Sequence, residues 1–137
     1  AIFGRKDYQQ LAVIRHMVRD LAFPIDIVGA DIKREPDGLA MSSRNQYLSE
    51  AERALAPLIH QTLQVMRDGV RAGRPRIEVE RDASVVLAEA GFMPDYAVVR
   101  TPELAEPKDA VPGPRVALVA ARLGSTRLID NLEFVLD

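Results

Sequence analysis

The sequence contains no cysteine and no tryptophan, and its only histidines are His16 and His60. Without cysteine the chain can form no disulfide, no thiolate zinc site and no cysteine nucleophile. Two histidines exclude a His-rich metal cluster, and a Ser-His-Asp triad would have to use one of them. Both histidines fall in helical patterns beside apolar residues. We therefore expect structural, hydrogen-bonded histidines and no hydrolytic triad.

Long apolar runs and an excess of positive charge are also missing. The chain has 137 residues, 47% hydrophobic and 28% charged, with a net charge of −2. This is the length of one ordinary domain and the composition of a soluble globular protein, so we expect no membrane partner. A net negative charge provides no global basic field for nucleic acid. The lack of cysteine favours a cytoplasmic location.

The charge that is present is unevenly distributed. Residues 1–45 carry a net charge of +1 and residues 46–137 a net charge of −3. Clustered basic side chains in an acidic protein suggest a small anionic ligand, and the alternative is that they are solvated surface charges. The basic residues that stand closest together in the first segment are Arg5, Lys6, Lys33, Arg34 and Arg44.

Residues 1–29 show the pattern of a β-α-β unit. A strand at 1–4 is followed by a helix that begins after the N-cap residue Asp7, and Pro24 opens a β-branched strand ending at Gly29. Such a unit predicts a parallel sheet, whose strands need neighbours. Because the chain begins inside a strand, we expect it to be the C-terminal part of a longer protein. The helix positions expected to face the core are Leu11, Ile14, Val18 and Leu21.

The rest of the chain predicts an α+β arrangement. A loop at 41–45 precedes a capping box formed by Ser49 and Glu52, which starts a helix that Pro57 kinks or restarts. A second helix is expected at 76–90, followed by three strands at 96–99, 116–119 and 132–136. With a linker near 43–48, the expected domains are 1–45 and 46–137. The helix positions expected to face the core are Leu55, Leu58, Ile59, Leu63, Met66 and Val70, then Val79, Val86, Leu87 and Ala90.

Two local groups of residues indicate phosphate chemistry. The spacing of the eight glycines excludes both a G-x-G-x-x-G and a Walker A loop. However, Gly4 at a strand end, Lys6 and the start of the following helix form a favourable phosphate position, with Asp7 available to a ribose hydroxyl and Gln10 one turn further on. Met41-Ser42-Ser43-Arg44 is a loop of hydroxyls and a guanidinium that can close over a triphosphate.

Three blocks of the sequence together resemble the pantoate-β-alanine ligase family, also called pantothenate synthetases. The resemblance runs from residue 1 to the end of the chain but covers only the family's C-terminal half. The blocks are Phe3-Gly4-Arg5-Lys6-Asp7-Tyr8-Gln9-Gln10, Asp37-Gly38-Leu39-Ala40-Met41-Ser42-Ser43-Arg44-Asn45 and Leu123-Gly124-Ser125-Thr126-Arg127-Leu128-Ile129-Asp130-Asn131.

This resemblance implies an α/β fold of the nucleotidyltransferase superfamily. Residues 1–45 would be the end of a Rossmann-like parallel sheet, and 46–137 a small α+β C-terminal domain. The implied enzyme is an AMP-forming ligase, a cytoplasmic homodimer that condenses pantoate with β-alanine. ATP and pantoate would give pantoyl adenylate and pyrophosphate, and β-alanine would then displace AMP. The Mg²⁺ ligands and the His-x-Gly-His signature belong to the family's other half, so the chain alone would be inactive and contain no metal site.

The resemblance also implies roles for individual residues. Gln10 would bind pantoate, and residues 41–44 would be the counterpart of the superfamily's Lys-Met-Ser-Lys-Ser loop. Lys6, Ser42, Ser43 and Arg44 would act on the charge of the leaving pyrophosphate, and Lys33 would contribute through its backbone. The full implied ATP-binding set is Gly4, Arg5, Lys6, Asp7, Lys33, Met41, Ser42, Ser43 and Arg44.

Three positions depart from the family pattern, since Arg5 replaces the usual glutamate, Asp31 the usual proline and Lys33 a residue that is often small and aliphatic. Two other interpretations stay open at this point. The chain could be a non-catalytic nucleotide-binding or dimerising module, or it could belong to an adenylate-forming enzyme that uses another acid. The second alternative keeps the ATP residues but reassigns Gln10.

Overall fold

The computed structural model describes all residues from 1 to 137. None of its helices is long and apolar enough to cross a membrane. A 3₁₀ helix, Ser43–Tyr47, occupies the segment for which a loop and linker were expected. The remaining elements, in chain order, are β1 (Ile2–Gly4), α1 (Tyr8–Asp20), β2 (Val28–Ala30), α2 (Glu50–Leu55), α3 (Leu58–Arg71), α4 (Arg76–Glu89), β3 (Met93–Arg100), β4 (Gly113–Leu123) and β5 (Thr126–Leu136).

The first unit is the predicted β-α-β arrangement. Strands β1 and β2 pair in parallel, with Ile2 opposite Val28, and α1 lies between them in sequence. Strand β2 is shorter than the expected run from Pro24 because it pairs only where β1 runs beside it. Of the apolar α1 positions expected in the core, Leu11 is buried, whereas Leu21 is exposed. The rest of the structure therefore packs only against the first turns of α1.

The second unit comprises residues 46–137, and its helices follow their local sequence signals closely. Ser49 and Glu52 form the predicted capping box at the start of α2. Pro57 ends that helix and is the N-cap of α3, as expected for a residue that lacks an N–H. Leu55, expected in the core, is 42% exposed, because the break at Pro57 ends the helix whose periodicity placed it there.

One position of α4 also differs from the expected pattern. Val86 is 46% exposed, although it was expected to face the core. The buried residues of this helix are Val79, Ala83 and Leu87, which are spaced four apart along one face. Ala83, too small to stand out in the hydrophobic pattern, thus takes the inward position between the two larger side chains.

Strands β3, β4 and β5 form an antiparallel sheet in that order. The strands are longer than predicted because β4 and β5 form one hairpin around Gly124 and Ser125, with Arg122 opposite Arg127 in its last rungs. Polar residues at those rungs hide the strand from a pattern based on apolar side chains. Gly124 has a φ of +61°, a conformation that favours glycine.

The antiparallel sheet is covered on both faces. Alternate residues of β4 point to opposite sides. Ala117 and Val119 pack with Leu63 and Leu87 of α3 and α4 in the main core. On the other face Val116 and Leu118 pack against Tyr8 at the start of α1. The sheet therefore lies between the helical layer and the β-α-β unit, and this position brings the two units together.

We expect Gly124→Ala to destabilise the protein through its contact with α2. An added methyl group would collide with the Glu52 carboxylate, which accepts the Ser49 amide in the capping box. Loss of such a cap costs about 0.5–2 kcal/mol. The control is Gly73→Ala, where φ is +88° and nothing lies within 4 Å of the added methyl group. Urea denaturation should show a larger loss of stability at Gly124, and equal losses would refute the coupling.

Candidate functional site

A cleft of about 400 Å³ opens where the two units meet. Its walls are the end of β1 with the start of α1, the segment before the 3₁₀ helix, and the first residues of β5. The structure thus brings both phosphate-type groups of the sequence to one place. The residues of the predicted site that line the cleft are Gly4, Lys6, Asp7, Gln10, Met41, Ser42 and Arg44.

Lys6 lies between the two groups. Its Nζ donates a hydrogen bond to the Met41 carbonyl at 3.2 Å, so it bridges the start of α1 and the Ser-Ser-Arg segment. The pKa of Lys6 lies below its usual value because the amine is partly buried, and the nearby Arg44 guanidinium lowers it further while Asp130 opposes the shift. An ammonium under these conditions is stabilised by an anion in the cleft.

Asp7 takes the N-cap position of α1 as predicted, but its side chain makes no capping hydrogen bond. The carboxylate instead lines the cleft beside Gly4 and Gln10. Tyr8, the next residue, is buried, and its hydroxyl donates to the Pro102 carbonyl at 3.1 Å. This contact holds the first turn of α1 against the second unit. The tyrosine, and not a side-chain cap, positions the cleft wall.

The Met41 to Arg44 segment has a defined local geometry. Ser42 is the N-cap of the 3₁₀ helix, and its Oγ accepts the Arg44 amide at 3.2 Å. Asn45 Nδ2 donates to the Ala40 carbonyl at 3.1 Å, which closes the turn. Ser42 and Arg44 line the cleft, whereas Ser43 lies outside the lining. The serine hydroxyl and the guanidinium are therefore presented on one side of a short turn.

Arg5 and Lys33 lie outside the cleft lining. Arg5 Nη1 is 3.1 Å from Glu133 and 3.5 Å from Asp31, so two of the positions that depart from the family pattern form an ion pair. Lys33 is exposed, and its carbonyl accepts the Met41 amide at 2.9 Å. Lys33 thus contributes to this region through its backbone.

The sequence interpretation assigned no role to three residues at the start of β5. Arg127 and Asp130 line the cleft, and Asn131 lies just beyond them. Asn131 Nδ2 donates to the carbonyls of Arg5 and Lys6 at 2.6 and 3.2 Å. These residues belong to the third block of the family resemblance, which was the only signal that could have identified them.

Asp130 makes the strongest ion pair near the cleft. Its carboxylate accepts two hydrogen bonds from Arg34, at 2.6 and 2.9 Å, with side-chain exposures of 2% and 21%. Arg34 also donates to the carbonyls of Gly38 and Asn131. A bidentate pair in this geometry is directional as well as strong. It fixes the turn that leads into the Met41 to Arg44 segment.

The histidines occupy structural positions. His60 on α3 packs against Gly38, where an added side chain would collide with its ring. Its Nδ1 is buried without a hydrogen-bond partner, so the expected hydrogen bond is missing there. Burial and the Arg34 charge lower the pKa of His60, which favours the neutral ring. His16 is exposed, and its Nε2 is 2.9 Å from the Asp20 carboxylate.

The chain does not fit a magnesium site. No group of three or more His, Asp or Glu side chains in the structure could hold a metal ion. The one buried carboxylate beside the cleft, Asp130, is already paired with Arg34.

Comparisons with known proteins give one consistent result. The family model described as pantoate-beta-alanine ligase matches residues 1–133. Curated pantothenate synthetases are 67% identical over 135 residues in Stenotrophomonas maltophilia K279a and 65% identical over 134 residues in Xanthomonas euvesicatoria pv. vesicatoria 85-10. Each match covers 98% of this chain and 48% of the relative. The chain thus spans about half the length of these relatives.

Solved structures agree with the sequence matches. The pantothenate synthetase of Thermus thermophilus has a TM-score of 0.86 at 46% identity, over 96% of this chain and 48% of that one. A pantoate-beta-alanine ligase from Francisella tularensis has a TM-score of 0.65 at 24% identity, over 96% of this chain and 42% of that one. The second match supports the fold alone.

We expect Asp130→Asn to loosen the turn before the Ser-Ser-Arg segment. Removing one partner of a buried pair strands the other charge and costs about 3 kcal/mol. The control is Asp37→Asn, which breaks a second Arg-Asp pair, with Arg53, whose side chains are 44% and 37% exposed. Urea denaturation should show a large loss only for Asp130→Asn, and hydrogen exchange at the Met41 amide should accelerate in that variant alone. Equal behaviour of the two variants would contradict the role of the buried pair.

Proposed function

The chain belongs to the pantoate-β-alanine ligase family, and from this premise we propose that it forms part of an ATP-dependent ligase that joins pantoate to β-alanine. In this reaction the pantoate carboxylate attacks the α-phosphorus of ATP, giving pantoyl adenylate and releasing pyrophosphate. The β-alanine amine then attacks the acyl carbon and releases AMP. The Francisella tularensis ligase is described as complexed with beta-gamma ATP and beta-alanine, which are the nucleotide and amine required here.

One observation carries the proposal, namely that the cleft joins the two sequence groups that were separately assigned to phosphate. Gly4, Lys6, Asp7 and Gln10 lie on one wall, and the Met41 to Arg44 segment lies on the other. A triphosphate between them would meet an ammonium and a guanidinium. Because charge moves onto pyrophosphate as the bond to the α-phosphorus breaks, fixed cations at this position favour the transition state over the ground state.

We assign the groups as follows. Lys6, Ser42 and Arg44 act on the charge of the triphosphate, and Ser43, which lies outside the cleft lining, is assigned with them by the family resemblance alone. Asp7 and Gly4 face the nucleoside, with Met41 packing beside it. Lys33 supports the turn through the carbonyl that holds Met41, and Arg5 supports β1 through its ion pairs. No covalent nucleophile is needed, since the carboxylate of pantoate is itself the nucleophile, and the protein acts by positioning and electrostatics.

Gln10 is assigned to pantoate. It lies one helical turn after Asp7 on the same wall of the cleft, where an amide can hydrogen-bond to a hydroxyl or carboxylate. Because Gln10 and Lys6 line the same cleft, pantoate held by Gln10 would lie next to the phosphate position, where its carboxylate could reach the α-phosphorus.

The domain assignment follows from the same premise. We propose that residues 1–45 are the end of a Rossmann-like parallel sheet, supported by the parallel pairing of β1 with β2 around α1. Residues 46–137 form the α+β domain, with the junction in the 3₁₀ helix. By family resemblance we also propose a cytoplasmic homodimer, and Mg²⁺ ligands in the part of the relatives that this chain does not cover.

The proposal is tested with a joined protein, in which this chain follows the part of the Stenotrophomonas maltophilia relative that it does not cover. We expect pantoate-dependent exchange of labelled pyrophosphate into ATP by the joined protein and none by the 137-residue chain alone. Exchange that depends on a different acid would favour another adenylate-forming enzyme. A joined protein that binds ATP without any exchange would favour the non-catalytic module.

Two substitutions in the joined protein should separate catalysis from binding. Lys6 is assigned to the leaving pyrophosphate, whose negative charge increases toward the transition state. Lys6→Ala should therefore lower kcat by roughly 10²- to 10³-fold. Gln10 meets a group that changes little, so Gln10→Ala should raise the pantoate KM by about tenfold and leave the ATP KM nearly unchanged. Steady-state exchange kinetics measure both effects.

Lys108→Ala and Gln61→Ala are the controls, since both residues are exposed and lie away from the cleft. They should leave both parameters close to those of the parent. Loss of affinity for ATP and pantoate together in Gln10→Ala would show that this glutamine does not act on pantoate specifically.

A further inference from the structure

Arg127 is a cation at the cleft for which the reaction assigned above has no role. It is the second residue of β5, directly after the tight turn of the hairpin, and it lines the cleft. A smaller adjoining pocket is lined by Arg127 together with Lys6, Asp7 and Arg44. In both pockets Arg127 is therefore a neighbour of the groups already assigned to the nucleotide.

The present partner of Arg127 holds it weakly. Its Nε donates to one oxygen of Asp95 at 2.8 Å, with side-chain exposures of 39% and 40%. Arg34, in contrast, uses two nitrogens on both oxygens of the buried Asp130. A half-exposed, single-contact pair contributes little to stability, so its guanidinium can change partners at small cost.

The electrostatics of the cleft favour such a change. Lys6, Arg44 and Arg127 line one small pocket, so three cations lie at the same place. Burial is the main reason that the pKa of Lys6 is lowered, and the Arg44 charge lowers it further against the opposing charge of Asp130. Asp130, the buried carboxylate among them, is neutralised by Arg34. A polyphosphate is the ligand class that satisfies three cations at once, and a guanidinium binds phosphate oxygens with two parallel hydrogen bonds.

We propose that Arg127 exchanges Asp95 for the β- and γ-phosphates of the bound nucleotide, so that the β4-β5 hairpin contacts the triphosphate together with Lys6 and Arg44. This assignment rests on the proposed ATP-dependent function. It adds a binding contact from the second unit, whereas the residues assigned above to ATP and pantoate all lie in residues 1–45. Asp95 then acts as an internal competitor that holds the guanidinium beside the cleft when no nucleotide is bound.

The test is isothermal titration of the joined protein with ATP and with AMP, in the absence of pantoate. Arg127→Gln should weaken ATP binding by about tenfold or more, the effect of losing charge-assisted hydrogen bonds, and should leave AMP binding unchanged. Asp95→Asn should strengthen ATP binding about threefold because it removes the competing carboxylate. In the Arg127→Gln background the Asp95 substitution should have no further effect.

Arg122→Gln is the matched control. Arg122 stands directly opposite Arg127 in the hairpin register, so either substitution removes the same cross-strand repulsion, but Arg122 does not line the cleft. Its ATP affinity should equal that of the parent. If Arg127→Gln fails to fold, Arg127→Lys replaces it, because lysine keeps the charge but cannot form two parallel hydrogen bonds. Its affinity for ATP should then be lower than that of the parent, and its affinity for AMP should be unchanged.

The outcomes separate this inference from the proposed function. Equal ATP affinity of Arg127→Gln and parent, or an equal loss of ATP and AMP, overturns the role of Arg127 while pantoate-dependent exchange by the parent stands. A parent that binds ATP with the Arg127 dependence but shows no exchange supports the inference and overturns the ligase assignment. A parent that binds no ATP overturns both.

Discussion

The buried ion pair between Arg34 and Asp130 is the interaction on which the geometry of the cleft depends. It joins residues that are 96 positions apart, one in the turn before the Ser-Ser-Arg segment and one in β5. The neighbouring Asn131 donates to the backbone of Arg5 and Lys6, at the end of β1. Two consecutive residues of one strand thus hold both walls of the cleft, because each uses directional hydrogen bonds that tolerate little displacement.

The cleft between the two units collects more positive than negative charge. Lys6, Arg44 and Arg127 reach the cleft from three segments of the chain, whereas its buried carboxylate is already neutralised. In the structure two of these cations have only weak partners. Lys6 donates to a backbone carbonyl, and Arg127 donates to the exposed Asp95. The cleft therefore holds the cations proposed to bind the nucleotide in weak interactions with the protein itself. A polyanion gains the interactions that the protein itself leaves weak.

The prediction of the fold from sequence was most accurate where the signals were local. The capping box of Ser49 and Glu52 and the break at Pro57 were confirmed, since each depends on residues a few positions apart. Burial was less predictable. Leu55 and Val86 satisfy the helical pattern but are exposed, because periodicity reports which face is apolar and not which part of that face is covered by other elements.

The sequence by itself determined the residue types of the candidate site and the elements that carry them. A glycine at a strand end, a lysine before a helix and a Ser-Ser-Arg turn are phosphate-binding features that neighbouring residues alone can specify. Only the tertiary structure decided that these features share one cleft, that Ser43, Arg5 and Lys33 lie outside its lining, and that β5 contributes to it. The physical reason is distance along the chain. Asn131 and Arg5 are 126 positions apart in the sequence. Their contact arises because the antiparallel sheet packs against the β-α-β unit, and no local sequence pattern encodes that packing.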